Sequence, residues 1–277
     1  MPLSETRRKA LDELCLSLRR ELVILLHRIQ TGHPGGSLSA TEIITTLYQE
    51  KMYLPAPDDP DRDRFVLSKG HAVPMLYLNL AEKGFIPKEE LATLRQVGSR
   101  LQGHPCAHKT PGIDVSAGPL GLGLSAGLGM ALAGKLQKRN YTVYVLLGDG
   151  ELQEGGCWEA AMAAAKFNPG NLIAIVDHNG VQLDGTNDEI MPVGDLSAKF
   201  RSFGWETIGC DGHDCSAFSD AVDKAKKTQG RPVVIIAETV KGKGISFMEG
   251  KNTWHGKPIS DADLAAALKE LGGDENG

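Results

Sequence analysis

The sequence contains no long uninterrupted apolar run. Residues 1–30 carry charges throughout, which excludes a signal peptide or a membrane span there and predicts an amphipathic helix instead. An excess of positive charge is also missing, because the net charge is -5 and the pI about 5.9. Without a basic field to attract phosphate backbones or anionic lipids, we expect neither nucleic acid nor a membrane as partner.

Paired cysteine motifs are absent as well. The five cysteines form no Cys-x-x-Cys pair, and an odd number without a signal sequence favours reduced thiols and a cytoplasmic location. The segment 211–215, Asp-Gly-His-Asp-Cys, has one histidine and two nearby cysteines, whereas a structural zinc ion takes four ligands. We therefore predict a turn between a strand and a helix at this segment.

The sequence does contain a regular alternation of predicted strands and helices. Short apolar runs at 65–69, 141–148, 171–177, 205–209 and 232–239 predict strands. Helices are predicted to about residue 30 and over about 40–53, 72–83, 88–97, 120–139, 195–203 and 216–228, with loops at 31–39, 98–118 and 180–194. This alternation predicts an α/β fold, a parallel sheet flanked by helices, in one domain over 1–277 with a carboxy-terminal extension.

A Gly-Asp-Gly turn follows one apolar strand, and Asn179 follows the next. Because parallel strands deliver their last residues to the same edge of a sheet, both should lie in one crevice. Asp149 can offer a carboxylate oxygen, Asn179 an amide oxygen and Val181 a backbone carbonyl, which are donors that Mg²⁺ prefers. Gly150 lets backbone approach a diphosphate closely. These residues predict a site for a metal ion and a diphosphate.

Several motifs together resemble the thiamine diphosphate enzymes, and among these the transketolases. The segments LGDGELQEG and NLIAIVDHNG carry the strongest resemblance. Further motifs occur in the family's order: TGHPGGSLSA at 31–40, LSKGHA at 67–72, QGHP at 102–105, AGPLGLGLSAGLGMA at 117–131, KGKGISFME at 241–249 and WHG at 254–256. They cover nearly the whole chain but only the amino-terminal, diphosphate-binding half of the usual transketolase polypeptide.

The resemblance assigns roles to four histidines in glycine or proline contexts. His71 is expected to contact the diphosphate, and His33 and His255 to meet the sugar, with His255 also able to reach the diphosphate. His104 matches the residue that binds the donor's hydroxyls near its carbonyl. A single histidine in a loop is more often a surface or capping residue, so the joint match carries this prediction.

The resemblance also assigns residues to the cofactor rings and the diphosphate. Gly118, Pro119 and Leu120 match the turn that packs against the rings, although a glycine-rich helix start explains them equally well in isolation. Lys241 matches a lysine near the diphosphate, with an exposed lysine as the alternative. Two carboxylates in the helix after the turn, Glu154 and Glu159, are expected on a solvated face or at a subunit interface rather than in catalysis.

By resemblance, the chain is one component of a two-chain transketolase. Thiamine diphosphate with Mg²⁺, for which Ca²⁺ or Mn²⁺ can substitute, would supply the C2 carbanion and hold the two-carbon fragment as an enamine on its way from a ketose to an aldose. The glutamate against the cofactor's aminopyrimidine and the groups that bind the substrate's phosphate belong to domains with no counterpart in this sequence. We expect them on a carboxy-terminal partner subunit in an α2β2 assembly.

Three alternatives remain open at the level of sequence. Gly36 stands where some relatives have a side chain that can contact the cofactor, which leaves room for a sulfonated, branched or otherwise unusual ketose. The α subunit of a 2-oxoacid dehydrogenase shares the Gly-Asp-Gly pattern but matches the histidine motifs poorly. A non-catalytic binding protein with this fold is disfavoured because every proposed metal donor and histidine is retained.

Overall fold

Five parallel strands form the central sheet of the chain, whose computed structural model describes residues 2–272. The strands are β1 (Arg64–Leu67), β2 (Val143–Gly148), β3 (Leu172–His178), β4 (Glu206–Asp211) and β5 (Val233–Glu238). Their order across the sheet is β1-β2-β3-β5-β4, and every neighbouring pair is parallel. The predicted parallel α/β fold is confirmed.

The central strands are apolar throughout because helices bury both faces of the sheet. Along β2, Val143, Val145 and Leu147 enter one hydrophobic core, whereas Tyr144 and Leu146 enter the other. This period of two follows from the strand's pleat. A continuous apolar run therefore serves two separate cores.

The helices are distributed over the two faces. They are α1 (Glu5–Ile29), α2 (Pro34–Ser39), α3 (Thr41–Thr46), α4 (Val73–Glu82), α5 (Gly123–Leu136), α6 (Gly155–Phe167), α7 (Asn187–Ile190), α8 (Leu196–Ser202), α9 (Cys215–Lys227) and α10 (Asp261–Glu270). Helices α1, α3, α4, α9 and α10 cover the Tyr144 face, while α5, α6 and α8 cover the Val145 face. No helix within residues 2–272 combines the length and the apolar character that crossing a bilayer requires.

Some predicted elements differ from the observed ones. The helix predicted at 88–97 is only a 3-10 turn over Lys88–Thr93, because Arg95 and Gly98 take positive φ values of 63° and 87°. The loop predicted at 31–39 contains α2, which begins at Pro34, a residue well suited to the first turn of a helix. The predicted loop at 180–194 contains the short helix α7. Beyond α3, a π-helical turn over Leu47–Lys51 completes the helix predicted to residue 53.

Helix α5 packs very closely on the sheet. A Cβ atom on Gly127 would lie 2.3 Å from Cγ2 of Val145, so only glycine fits there. Leu122, which immediately precedes the helix, is 59% exposed, and Leu136, its last residue, is 85% exposed. One face of this helix is therefore fixed by the sheet, whereas these two leucines at its ends are uncovered in the described chain.

The carboxy-terminal extension packs against the first helix. The Arg20 side chain donates to the Leu271 carbonyl at 2.8 Å, and His27 contacts Asp261 at 2.7 Å. The assignment of 1–277 to one domain includes residues outside the described range and stays a prediction.

Candidate active site

A cavity of about 360 Å³ lies at the carboxyl edge of the sheet. Four strands lead into it: Lys69 follows β1, Gly148 ends β2, Asn179 follows β3 and Lys241 follows β5. Most of the residues predicted for the site line this cavity: His33, His71, His104, Gly118, Leu120, Gly150, Asn179, Val181, Lys241 and His255. Of the remaining two, Asp149 is buried at the edge of the sheet and Pro119 lies on the exposed surface.

Backbone donors fix the Gly-Asp-Gly turn. The two carboxylate oxygens of Asp149 accept from the amides of Gly150 at 2.8 Å and Gly180 at 2.5 Å. The side-chain oxygen of Asn179 accepts from the Val181 amide at 3.1 Å. Burial raises the pKa of the Asp149 carboxyl, and the two amides oppose that rise. Oxygen donors from two strands are thereby held at one edge in defined orientations.

Lys241 connects the predicted metal site to a histidine. Its ammonium donates to the Val181 carbonyl and to Nδ1 of His255, each at 2.9 Å. Burial, followed by the nearby charge of Lys69, lowers the pKa of Lys241 to about 8. The side chain is 2% exposed, so the alternative of an exposed lysine is wrong. Because Nδ1 of His255 accepts a hydrogen bond, its neutral ring carries the proton on Nε2.

The four predicted histidines converge above this edge. The ring centroids of His33 lie 5.3 Å from His71, 5.3 Å from His255 and 6.4 Å from His104. The centroids of His71 and His255 are 5.0 Å apart. Residues separated widely in sequence thus form one imidazole cluster, although the cluster itself does not test the role of any member.

Burial keeps these histidines neutral. It lowers the pKa of His33 to about 4, with help from the positive charge of Arg95, and that of His255 to about 3, with help from Lys241. Burial likewise lowers the pKa of His71 and of His104. The positive charge of Lys69 lowers the pKa of His71 further, and the positive charge of Arg95 lowers that of His104 further. Nδ1 of His33 is buried without a hydrogen-bond partner, so it has capacity for a ligand.

A buried ion pair beneath the cavity was missed by the sequence reasoning. The Lys69 ammonium contacts the Asp177 carboxylate and donates to the Gly36 carbonyl at 3.0 Å. The Ser39 hydroxyl also donates to Asp177, at 2.6 Å. Lys69 holds the pKa of Asp177 below its usual range against the effect of burial. The sequence feature that could have revealed this pair is Asp177, a carboxylate near the end of the otherwise apolar strand β3.

Glu151 is a second buried carboxylate that the sequence reasoning missed. It accepts from the amides of Gly121 at 2.9 Å and Gly148 at 3.0 Å, and from the Ser68 hydroxyl. Burial raises the pKa of this carboxyl. Glu151 thereby joins the ends of β1 and β2 to the turn at 118–121. Glu154 and Glu159 are both exposed, but Glu154 also lines the cavity, so the expectation that neither acts in catalysis stays a prediction.

The turn at 211–215 is structural, as predicted. Asp214 caps α9 by accepting from Ser216 and Ala217, and His213 bonds Glu42 at 3.0 Å. Within residues 2–272, no cluster of three or more His, Cys, Asp or Glu side chains is arranged to hold a metal ion. A cation at the cavity would therefore need amide, carbonyl, phosphate or water oxygens in addition to Asp149.

The fold and this site define the class of the protein. The family described as "Transketolase, thiamine diphosphate binding domain" matches residues 12–276. The chain belongs to the transketolase family, and the resemblance inferred from its motifs is confirmed.

Relatives of similar length are named as enzyme subunits. The chain is 44% identical over 246 residues to the 6-deoxy-6-sulfo-D-fructose transketolase subunit of Clostridium sp. (strain MSTE9), covering 88% of this chain and 90% of that one. It is 41% identical over 256 residues to an apulose-4-phosphate transketolase subunit of Phocaeicola vulgatus, covering 91% of this chain and 90% of that one. These relatives and the family match do not favour the 2-oxoacid dehydrogenase alternative.

Longer transketolases match over less than half of their length. The structure of transketolase from Campylobacter jejuni superposes with a TM-score of 0.91 at 31% identity, covering 97% of this chain and 44% of that one. The mouse transketolase is 41% identical over 266 residues, which is 95% of this chain but 42% of that protein. The chain corresponds to a part of these longer proteins.

Proposed function

We propose that this chain is the diphosphate-binding subunit of a two-chain transketolase that moves a two-carbon ketol unit from a ketose to an aldose. The observation that carries the proposal is the cluster of four neutral histidines above an edge formed by Asp149, Asn179 and Val181. Thiamine diphosphate, when bound, supplies the carbon nucleophile that cleaves the ketose.

The cavity residues fit such a cofactor and its metal ion. Asp149, Asn179 and the Val181 carbonyl would hold Mg²⁺, with Ca²⁺ or Mn²⁺ as substitutes, and a carbonyl can accept from Lys241 and still offer its second lone pair. Lys241 and His71 would bind the diphosphate. Gly150 lets backbone come close, and the turn at 118–120, including Pro119, would support the cofactor rings.

The histidines would handle the sugar. A neutral imidazole both donates and accepts, so His33, His104 and His255 can orient hydroxyls and move a proton as a carbon–carbon bond breaks. His33 has an unpartnered buried Nδ1 for this task. His255 accepts from Lys241 at Nδ1 and so presents its Nε2–H to a ligand.

A carboxy-terminal transketolase subunit would complete the site. Relatives of matching length carry subunit names, whereas this chain covers 42% of the mouse enzyme. Leu120 and Leu183 line the cavity although they are 39% and 57% exposed. An apolar rim around a polar cavity is suited to cover by another protein surface. We propose an α2β2 assembly in the cytoplasm, where the five free thiols would stay reduced.

An unusual anionic ketose is the favoured donor. Two relatives of matching length are named for 6-deoxy-6-sulfo-D-fructose and apulose 4-phosphate. We propose a ketose donor that bears a phosphate or sulfonate, and we propose that the partner subunit binds most of this anionic group. The second candidate donor is an ordinary pentose or hexose phosphate, which is also an anionic ketose.

Reconstitution tests the proposed function. This chain is purified alone, then with a separately encoded chain resembling the carboxy-terminal transketolase half. Both preparations are assayed with an aldose phosphate acceptor and, in turn, the donors 6-deoxy-6-sulfo-D-fructose, apulose 4-phosphate, xylulose 5-phosphate and fructose 6-phosphate. We expect turnover only in the mixture, and gel filtration should show two copies of each chain. Robust turnover by this chain alone, or a mixture that binds thiamine diphosphate but decarboxylates pyruvate instead, contradicts the proposal.

A further inference from the structure

Arg95 lies between the two loops that carry His33 and His104. One guanidinium nitrogen donates to the Thr31 hydroxyl at 3.1 Å, two residues before His33. Another faces the Gly103 carbonyl at 3.4 Å, one residue before His104. A single side chain therefore contacts the chain segments that immediately precede both histidines.

The contact with the second loop is unusually close. A Cβ atom on Gly103 would lie 2.8 Å from Cζ and 2.8 Å from Nε of Arg95, so the guanidinium packs flat on glycine backbone. The Arg95 amide also donates to the Leu101 carbonyl at 3.0 Å. Main chain and side chain of Arg95 thus both hold the segment that leads to His104.

Arg95 adopts a backbone conformation that disfavours L side chains. Its φ of 63° ends the 3-10 turn over Lys88–Thr93 and directs the side chain towards Thr31 and Gly103. Such strain persists where the surrounding contacts determine the conformation. Within residues 2–272, Arg95 forms no ion pair with Asp or Glu, in contrast to Arg100, which pairs with Glu90 at 2.6 Å.

We propose that Arg95 is a positioning residue that fixes the spacing of the His33 and His104 loops and so sets the geometry of sugar binding. The observed spacing is 6.4 Å between the two ring centroids. The effect of Arg95 on catalysis rests on the proposed function, because it assumes that His33 and His104 bind the sugar. The planar fork of arginine reaches two acceptors at once, which a lysine cannot reproduce.

The catalytic test compares Arg95→Lys, Arg95→Met and the control Arg100→Gln in the two-chain complex. Small displacements of substrate-positioning groups cost up to about 100-fold in rate, so we expect both Arg95 variants to lose roughly 10- to 100-fold in kcat. Affinity for thiamine diphosphate should stay within about twofold, because the contacts of Arg95 do not reach Asp149, Asn179 or Lys241. The Arg100→Gln complex should have the same kcat and the same affinity for thiamine diphosphate as the unsubstituted complex.

Each contrary result has a distinct meaning. Full activity in Arg95→Lys overturns the positioning role, because the charge alone would then suffice. A raised KM for phosphorylated or sulfonated donors with an unchanged kcat also overturns it, because that result indicates that Arg95 binds the anion directly. Failure of the unchanged complex to transfer a ketol unit counts against the proposed function and is separate from either result.

Hydrogen–deuterium exchange tests the loops without any activity. In Arg95→Met we expect faster amide exchange in peptides spanning 27–38 and 98–109, and no change in peptides spanning 143–154 and 172–183. Exchange that quickens only in 86–97 would show that Arg95 supports its own turn and not the two histidine loops. This measurement decides the proposal even in a chain purified without its partner.

Discussion

Two buried charged clusters in this chain differ in how completely their polar atoms are satisfied. Arg19 and Glu42 form an ion pair that His213 joins at 3.0 Å, and Nε2 of His213 accepts from the Val240 amide at 2.8 Å. Although burial alone would raise it, Arg19 and His213 hold the pKa of Glu42 at about 2. We call this cluster closed because its polar atoms find hydrogen-bond partners within the protein; it lies outside the cavity of the candidate site, and His213 borders a separate surface pocket.

The second cluster opens into the cavity. Lys69 pairs with Asp177, and Lys69, Lys241 and the histidines face shared empty space. Nδ1 of His33 has no partner there. The comparison teaches that a buried charge alone does not indicate function. Several polar side chains that line one shared cavity are the informative feature.

Breaking the closed cluster should give the largest effect. Glu42→Ala leaves the Arg19 guanidinium, 6% exposed, without its carboxylate, and removing one partner of a buried pair costs about 3–5 kcal/mol. We expect urea unfolding to show that loss, while the exposed control Glu13→Ala changes little. Unchanged stability in Glu42→Ala would mean that water reaches Arg19 and the cluster is not closed.

A change in the open site should affect binding more than folding. Asp149→Asn keeps the shape but removes the charge and replaces one of the two acceptor oxygens with an amide donor. We expect metal-dependent affinity for thiamine diphosphate to fall by about 100-fold, the upper end of losses at metal sites. The lost backbone hydrogen bond should lower the free energy of unfolding by about 1–3 kcal/mol. Calorimetric titration of the two-chain complex, with exposed Asp188→Asn as control, measures the affinity. Equal affinity in both variants would remove Asp149 from the metal site.

Filling the space beside His71 should give a smaller loss. A Cβ atom on Gly36 would lie 3.1 Å from Nε2 of His71 and 3.6 Å from the Lys69 ammonium. We expect Gly36→Ala to weaken thiamine diphosphate binding roughly tenfold while stability holds or rises, because alanine favours a helix by up to about 1 kcal/mol. Gly129→Ala, where a Cβ meets nothing within 4 Å, is the matched control. Stronger binding in Gly36→Ala would show that the cavity is too large as it stands.

The smallest expected effect is on the pH dependence of stability. The pKa of His33 is about 4 in the folded chain, against roughly 6.5 in an unfolded one. Between these values the unfolded state binds more protons, so stability falls as pH falls from about 6.5 to about 4. We expect His33→Asn to flatten this slope in urea titrations relative to His108→Asn on the exposed loop. Identical slopes in the two variants would show that His33 takes up its proton at the same pH in the folded chain as in the unfolded one.

The sequence predicted those features that depend on local pattern. Asp149 and Asn179 could be placed because each follows an apolar strand and parallel strands end at one edge. The four histidines were found because the motifs around them together match those of the transketolase family. Arg95, Glu151 and Lys69 were missed because their partners are distant in sequence; Lys69 and Asp177 are 108 residues apart. The helix predicted at 88–97 was wrong for a related reason, since contacts of Arg95 with distant loops accompany its left-handed backbone.

Three exposed leucines have a consequence for the chain before it meets a partner. Leu120 and Leu183 line the cavity, Leu122 lies two residues after Leu120, and all three are exposed on a protein whose net charge is only modestly negative. Such surfaces promote aggregation when nothing shields them. A cell that makes this chain in excess would carry a pool prone to precipitate, so balanced synthesis of the two chains would be a matter of solubility as well as catalysis.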